Sequence, residues 1–267
     1  MSSHILESRV EQRVEHLGDR VLQLIEACGR FTRLVAATTS AAFRSRLSVR
    51  EVVRQLEAIG VRSLTIVVLT ALFTGMVLAL QTGIALARFG AKPYVGSVIG
   101  LSLARELGPV LTALMVGGRV GAGITAEIGS MQVTEQVDAI RSMGADPVQK
   151  LVLPRVLAAT LALPLLTVFA NLLGVLGGLA IANTQFHISP NFYLQTIFDA
   201  VTLADVMSGL VKTFVFGWII AMVACFHGLG TTGGTVGVGR ATTRTVVTAS
   251  VAILISDFFL TQLMLVL

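Results

Sequence analysis

The stretch that decides the fold is Leu64-Thr-Ile-Val-Val-Leu-Thr-Ala-Leu-Phe-Thr-Gly-Met-Val-Leu-Ala-Leu-Gln-Thr-Gly-Ile-Ala-Leu-Ala87, 24 residues without a charge. At about 1.5 Å per helical residue, such a run crosses the ~30 Å hydrocarbon core of a bilayer. Four more apolar stretches follow, near 97–126, 151–182, 203–226 and 245–267. Each reaches the ~20 residues a crossing needs, and the third is long enough to tilt. The predicted fold is an all-α integral membrane protein with about five transmembrane helices. Composition agrees. The chain is 54% hydrophobic and 13% charged, against about 25% charged in soluble domains.

Outward from the first span, the chain changes character. Residues 1–62 hold ten of the 20 Lys and Arg and seven of the 15 Asp and Glu. Val10, Val14, Leu17, Val21, Leu24, Cys28, Phe31 and Val35 recur at steps of four and three, one stripe of a helix over 9–35. Beside membrane spans, that stripe predicts an amphipathic helix lying in the interface. Ser48 and Glu51 have capping-box spacing for a second short helix, with Val49, Val52, Val53 and Leu56 as its apolar face and Gly60 as its end. The expected organisation is interfacial amphipathic helices over 1–62 and a transmembrane domain over 63–267.

Loop charge orients the spans. Fifteen Lys and Arg flank one side and two, Arg88 and Lys92, flank the other. The basic side is the cytoplasmic one, so the N-terminus is expected inside and the C-terminus outside. The net charge of +5 is mixed with acids beside apolar spans, which suits a cytoplasmic membrane face rather than nucleic acid. Cys28 and Cys225 lack a metal spacing, and His4, His16, His187 and His227 are scattered, so no metal site is read. Gly117/Gly121 and Gly174/Gly178 have the spacing that lets helices approach closely in lipid.

The second span carries Arg105, Glu106, Pro109 and Arg119. A charge at mid-membrane costs roughly 2.5–3.5 kcal/mol on insertion scales. Adjacent Arg105 and Glu106 point about 100° apart on a helix and are poor partners for each other. Two readings stay open: a polar cavity faced by Glu106, or structural pairs with Lys212, Asp205 or Asp257. In the loop after this span, Thr134 is placed to cap a short helix, with Glu135 in its first turn; Gly144 and Asp146-Pro147 stop it. Such a helix is too short to span and presents Glu135, Gln136, Asp138 and Arg141 to the cytoplasm, as a docking helix or as a solvated loop. Gly100-Leu-Ser102 lacks the second glycine of a serine-nucleophile elbow, and Gly234-Thr-Val-Gly-Val-Gly239-Arg240 lacks the lysine of a phosphate loop. The second is expected to be a flexible cytoplasmic loop. No catalytic residue and no nucleotide site are read.

Several ordered blocks carry a resemblance. They are Leu103-Ala-Arg-Glu-Leu-Gly-Pro109, Gly118-Arg-Val-Gly121, Thr125-Ala-Glu-Ile-Gly129, Thr134-Glu-Gln136, Met143-Gly-Ala-Asp-Pro147, Arg240-Ala-Thr-Thr-Arg-Thr-Val-Val247 and Asp257-Phe-Phe-Leu-Thr261. Together they closely resemble the MlaE/YrbE permeases, over roughly residues 45–267. The resemblance implies a homodimeric inner-membrane permease subunit of an ABC transporter for phospholipids, serving outer-membrane lipid asymmetry. It implies a cytoplasmic ATPase that binds the ATP, a STAS-domain protein and a periplasmic MCE-domain lipid-binding ring. It maps a coupling helix to about Ser130–Met143, with Thr134, Glu135, Gln136, Asp138 and Arg141 facing the ATPase. It maps a lipid cavity to Leu78, Leu86, Phe89, Glu106 and Leu107, and Arg105 suits the mouth of that cavity near lipid headgroups. Phe89 stands where a well-known member has Tyr, and Asp138-Ala139 follows the YrbE-type pattern. The alternative is a membrane scaffold that anchors the ATPase and a periplasmic protein without moving lipid.

Overall fold

The computed structural model describes residues 22, 25–43 and 48–266. Among these, all regular structure is helical. The chain forms two compact units, Met1–Ser45 and Arg46–Leu267. In the first, α1 covers residues 25–43 and so runs eight residues past the predicted end at 35. The expected stripe from Val10 to Val21, with Leu24, lies outside the described residues; Phe31 and Val35 are half-buried and Cys28 is exposed.

The second unit has five helices long and apolar enough to cross a membrane: α2 (Val49–Ala87), α3 (Lys92–Val133), α5 (Val148–Phe186), α7 (Leu203–Leu229) and α8 (Gly234–Val266). Two short helices lie between them, α4 (Gln136–Ser142) and α6 (Pro190–Ala200). The span count matches the apolar stretches; the ends do not. Helical backbone continues past the hydrocarbon-length windows into polar sequence, so α2 starts at Val49 and α8 at Gly234. Gly60 therefore closes nothing. The chain passes it in a wide π turn over Glu57–Val61, which keeps the helix going without an αL residue. Ser48 occupies the N-cap position but makes no side-chain cap bond. Gln55, not the valine face, is the buried position of that first stretch, while Val49 and Val53 are exposed. The glycine-rich 234–240 segment is the start of α8 rather than a loop.

Packing explains the order of the core. Along α2 the buried positions fall at every fourth residue: Gln55, Ile59, Ser63, Val67, Ala71, Gly75, Ala79 and Gly83. They lie along one i±4 ridge, and the partner is α5. Small residues hold this crossing. A Cβ added at Gly75 would collide with the Gly174 carbonyl, and one at Gly177 with the Leu72 carbonyl. Gly174 thus does what its spacing predicted. Gly117 and Gly121 are different. A Cβ there would meet Ile220 at an ordinary 3.5 Å, so that pair sits in a π turn (Gly117–Gly121) without a tight crossing.

On the far side of the membrane from α4, α6 packs its Tyr193 and Ile197 inward beside Val95, Ile99, Leu103 and Ala182. The Tyr193 hydroxyl donates to the Val175 carbonyl at 3.4 Å, and burial pushes its phenol well above the ordinary range.

Candidate functional site

The site builds from α3. Pro109 has no N–H to offer the carbonyl four residues back. The helix widens into a π turn over Leu103–Leu107, a device found often at functional positions, and the Arg105 carbonyl is freed. Lys212 of α7 takes it, with Nζ at 3.2 Å. The same ammonium, 2% exposed as a side chain, donates to Glu106 Oε1 at 2.7 Å and Thr261 Oγ1 at 2.7 Å and pairs with Asp257 Oδ1 at 3.2 Å. Thr261 also donates to Glu106 Oε1 at 3.1 Å. One buried cation therefore ties α3, α7 and α8 together, and every proton on it has an acceptor.

Arg105 is held by Asp205, about two turns before Lys212 on α7. Thr202 and Asp205 form a capping box at the start of α7, in which Asp205 Oδ2 accepts from the Thr202 N–H and hydroxyl, both at 2.8 Å. That leaves Oδ1 for Arg105, whose Nε donates to it at 2.7 Å. Structural pairing is thus the reading that the single chain displays. Glu106 and Arg105 are structural partners of Lys212 and Asp205, and their side chains remain 39% and 49% exposed.

Of the apolar residues mapped to a lipid wall, Leu78, Leu86 and Leu107 are half-buried against one core cluster. Phe89 stands apart, 83% exposed in the α2–α3 turn. Beside Leu107 a narrow furrow runs between α2 and α3, lined by Thr70, Thr74, Leu111 and Met115, and encloses about 10 Å³. That is room for about one water. A lipid-sized space at this face needs a wall that the single chain does not supply.

At the opposite end, α4 begins at Gln136, not at a Thr134 cap. Thr134 Oγ1 instead donates back to the Ser130 carbonyl at 2.8 Å and closes α3, so Ser130–Val133 belong to the span. Glu135 takes the N-cap position at φ 60°. Gly144, at φ 75°, ends the helix as expected. Buried Val137 anchors α4. Glu135, Gln136, Asp138 and Arg141 are all exposed, and Arg141 pairs with Asp138 at 3.0 Å. Next to them a groove of about 590 Å³ opens between the start of α2 and the α4–α5 connection, lined by Ser48, Glu51, Ile140, Asp146 and Lys150.

Four polar contacts went unread in the sequence. Arg119 donates to fully buried Ser63 at 2.7 Å. Arg155 pairs with Glu127 at 2.9 Å. Thr125, Thr245 and His227 form a chain at 2.8 and 3.0 Å that joins α3, α7 and α8. Threonines inside apolar runs gave no sign of which would meet.

The family model described as Permease MlaE matches residues 52–263. A probable ABC transporter permease protein of Rickettsia felis is 43% identical over 247 residues, 92% of this chain and 95% of that protein. A probable ABC transporter permease protein of Synechocystis is 45% identical over 240 residues, 88% of this chain and 91% of that protein. The intermembrane phospholipid transport system permease protein MlaE of Haemophilus influenzae is 34% identical over 252 residues, 94% of this chain and 97% of that protein.

Proposed function

The chain belongs to the MlaE permease family of ABC transporters, and from that premise we propose that it moves phospholipid between the inner membrane and a periplasmic MCE-domain carrier, as part of the system that keeps the outer membrane asymmetric. The observation that carries the reading is the half-exposed Arg105–Glu106 pair, braced from behind by Asp205 and Lys212, next to the Leu78, Leu86 and Leu107 wall. A charged pair at membrane depth is costly unless it meets polar matter, and a lipid headgroup is such matter.

Two copies of the chain close the cavity. The tight furrow at Leu107, and the exposed Val251, Leu254, Ile255 and Phe258 of α8, support a second copy as the missing wall. ATP is bound and hydrolysed by a separate cytoplasmic ATPase, which docks on Glu135, Gln136, Asp138 and Arg141. Nucleotide binding there biases the dimer between an open and a collapsed cavity. A STAS-domain protein completes the cytoplasmic side and an MCE-domain ring the periplasmic side. The N-terminus is cytoplasmic and the C-terminus periplasmic, in line with the 15-to-two charge bias.

The test is ATP-dependent transfer of labelled phospholipid from vesicles holding the assembled complex to the soluble carrier domain. The reading expects transfer by the native complex and strong impairment in Glu106→Lys with assembly intact. An assembled, ATP-hydrolysing complex that moves no lipid would leave the scaffold alternative standing.

A further inference from the structure

We propose that the Glu127–Arg155 ion pair is the clamp that passes movement of α4 on to α5, which makes both side chains positioning residues for ATP-driven transport. The proposal rests on the permease reading, with α4 as the docking helix, and adds the route by which the ATPase drives the spans.

The pair straddles α4. Glu127 lies near the end of α3, six residues before Val133. Arg155 lies near the start of α5, just past the π turn Val148–Val152. Arg155 Nη2 meets Glu127 Oε1 at 2.9 Å, and Nη1 donates to the Leu151 carbonyl of that π turn at 2.7 Å. Among the described residues this is the only ion pair between α3 and α5, the two helices that α4 connects. The connection has little slack. The N–H groups of Thr134 and Glu135 donate to the Ser130 and Gln132 carbonyls at 3.1 and 3.2 Å. Buried Val137 anchors α4, and Asp146 Oδ1 accepts from the Val148 N–H at 2.9 Å.

Burial makes the pair grip. Arg155 is 3% exposed, while the Glu127 side chain is 53% exposed. Parting them leaves an uncompensated buried charge, which is strongly unfavourable. Arg155 therefore follows Glu127. An exposed pair such as Arg141–Asp138 slips at little cost instead. The Arg155 Nε is buried without an acceptor. That unmet donor gives the guanidinium something to gain by moving.

Each partner is tied to different helices. Beside Glu127, Thr125 Oγ1 lies 3.1 Å from the Ala224 carbonyl of α7 and 2.8 Å from Thr245 Oγ1 of α8. A Cβ added at Gly228 would come within 2.8 Å of Ile128. Arg155 belongs to α5, which Gly75 and Gly174 bind to α2. One turn further along α5, a Cβ at Gly217 of α7 would lie 2.6 Å from the Ala159 carbonyl. That close crossing is a fulcrum, and the ion pair is a short arm beside it. A push on α4 reaches Glu127 through the end of α3, and Arg155 turns it into rotation of α5 against α7 rather than flexing of the α4–α5 connection.

The experiment uses the full complex in vesicles and measures ATP hydrolysis and transfer of labelled phospholipid to the soluble carrier domain in the same sample. The readout is lipid transferred per ATP, which a merely structural role does not move. In Glu127→Gln, which keeps an acceptor and loses the charge, the ratio falls about tenfold. Glu127→Asp keeps the charge with a shorter reach and recovers the ratio to within about threefold of native. Glu127→Leu combined with Arg155→Met replaces the pair by apolar side chains. It melts within about 4 °C of the native complex and is uncoupled as far as Glu127→Gln. An unchanged ratio in Glu127→Gln or in the double variant, even if both rates fall together, overturns the clamp and leaves the permease reading intact. Failure of both variants to assemble makes the pair structural and overturns the clamp as well. A native complex that hydrolyses ATP and transfers no lipid overturns the permease reading itself.

Discussion

The α2–α5 crossing and the α3–α7–α8 charge layer are both seams between transmembrane helices, and they are built on opposite principles. The first is a dry contact of backbone on backbone. Gly75 meets Gly174, Gly177 meets Leu72, and the buried positions repeat every four residues. The second joins its helices through Lys212, Glu106, Asp257 and Thr261, with Arg105 and Asp205 at its edge, and leaves Arg105 and Glu106 half-exposed. A glycine seam offers no purchase to a ligand and no room to move. A charge layer has open donor and acceptor atoms and alternative partners. Under the proposed function, the difference separates the part of the chain that holds its shape from the part that meets lipid.

Three substitutions set this contrast against measured stability. The largest effect belongs to Gly75→Leu. The new side chain has a backbone carbonyl in its path, and loss of about 5 kcal/mol or more is expected, enough to remove the folded protein. Normal yield and an unchanged melting temperature in detergent would show that the crossing is not tight. Next is Lys212→Ala, which strands Glu106 and Asp257. It should cost about 3 kcal/mol. Adding Glu106→Gln and Asp257→Asn should recover most of that; if the triple variant is no better than the single one, the loss comes from packing and not charge. Arg105→Ala sits third. Its guanidinium is half-exposed, and buried Asp205 keeps both bonds from Thr202, so about 1 kcal/mol is expected, with the capping box preserved. A loss as large as that of Lys212→Ala would put Arg105 in the structural class.

The smallest effect on stability falls on α4. Glu135→Lys changes an exposed residue and should shift stability by no more than about 0.5 kcal/mol, while the ATPase no longer co-purifies. Unchanged co-purification and ATPase rate would remove α4 from the coupling surface.

How much of this was legible depended on the kind of physics involved. The five spans announced themselves, because apolar length is a property of composition. Their ends did not. Polar residues such as Arg54 and Arg240 continue a helix that has left the hydrocarbon, and hydropathy cannot see that. Pro109 was visible, but its consequence, a freed Arg105 carbonyl taken by Lys212, required a π turn that no periodicity reveals. The partners Asp205, Lys212 and Asp257 were nameable as the few charges on the other spans; their division into two separate pairings was not, since it depends on which atoms of Asp205 the Thr202 cap consumes. That cap itself was readable, as Thr202-x-x-Asp205 before an apolar run. Thr134 misled because threonine suits both a helix start and back-bonding to the preceding turn, and the second won. The short helix α6 was hidden by its length, although Ser189-Pro190 marks its start.

Under the proposed function, the face carrying Leu78, Leu86 and Leu107 handles lipid in step with the ATPase. Photo-crosslinkers at these three positions, and at Leu165 on the exposed face of α5, would be tested in the assembled complex with labelled phospholipid, before and after nucleotide trapping. Crosslinking at 78, 86 and 107 is expected to fall on trapping while crosslinking at 165 stays constant. Equal, nucleotide-independent crosslinking at all four positions would contradict it.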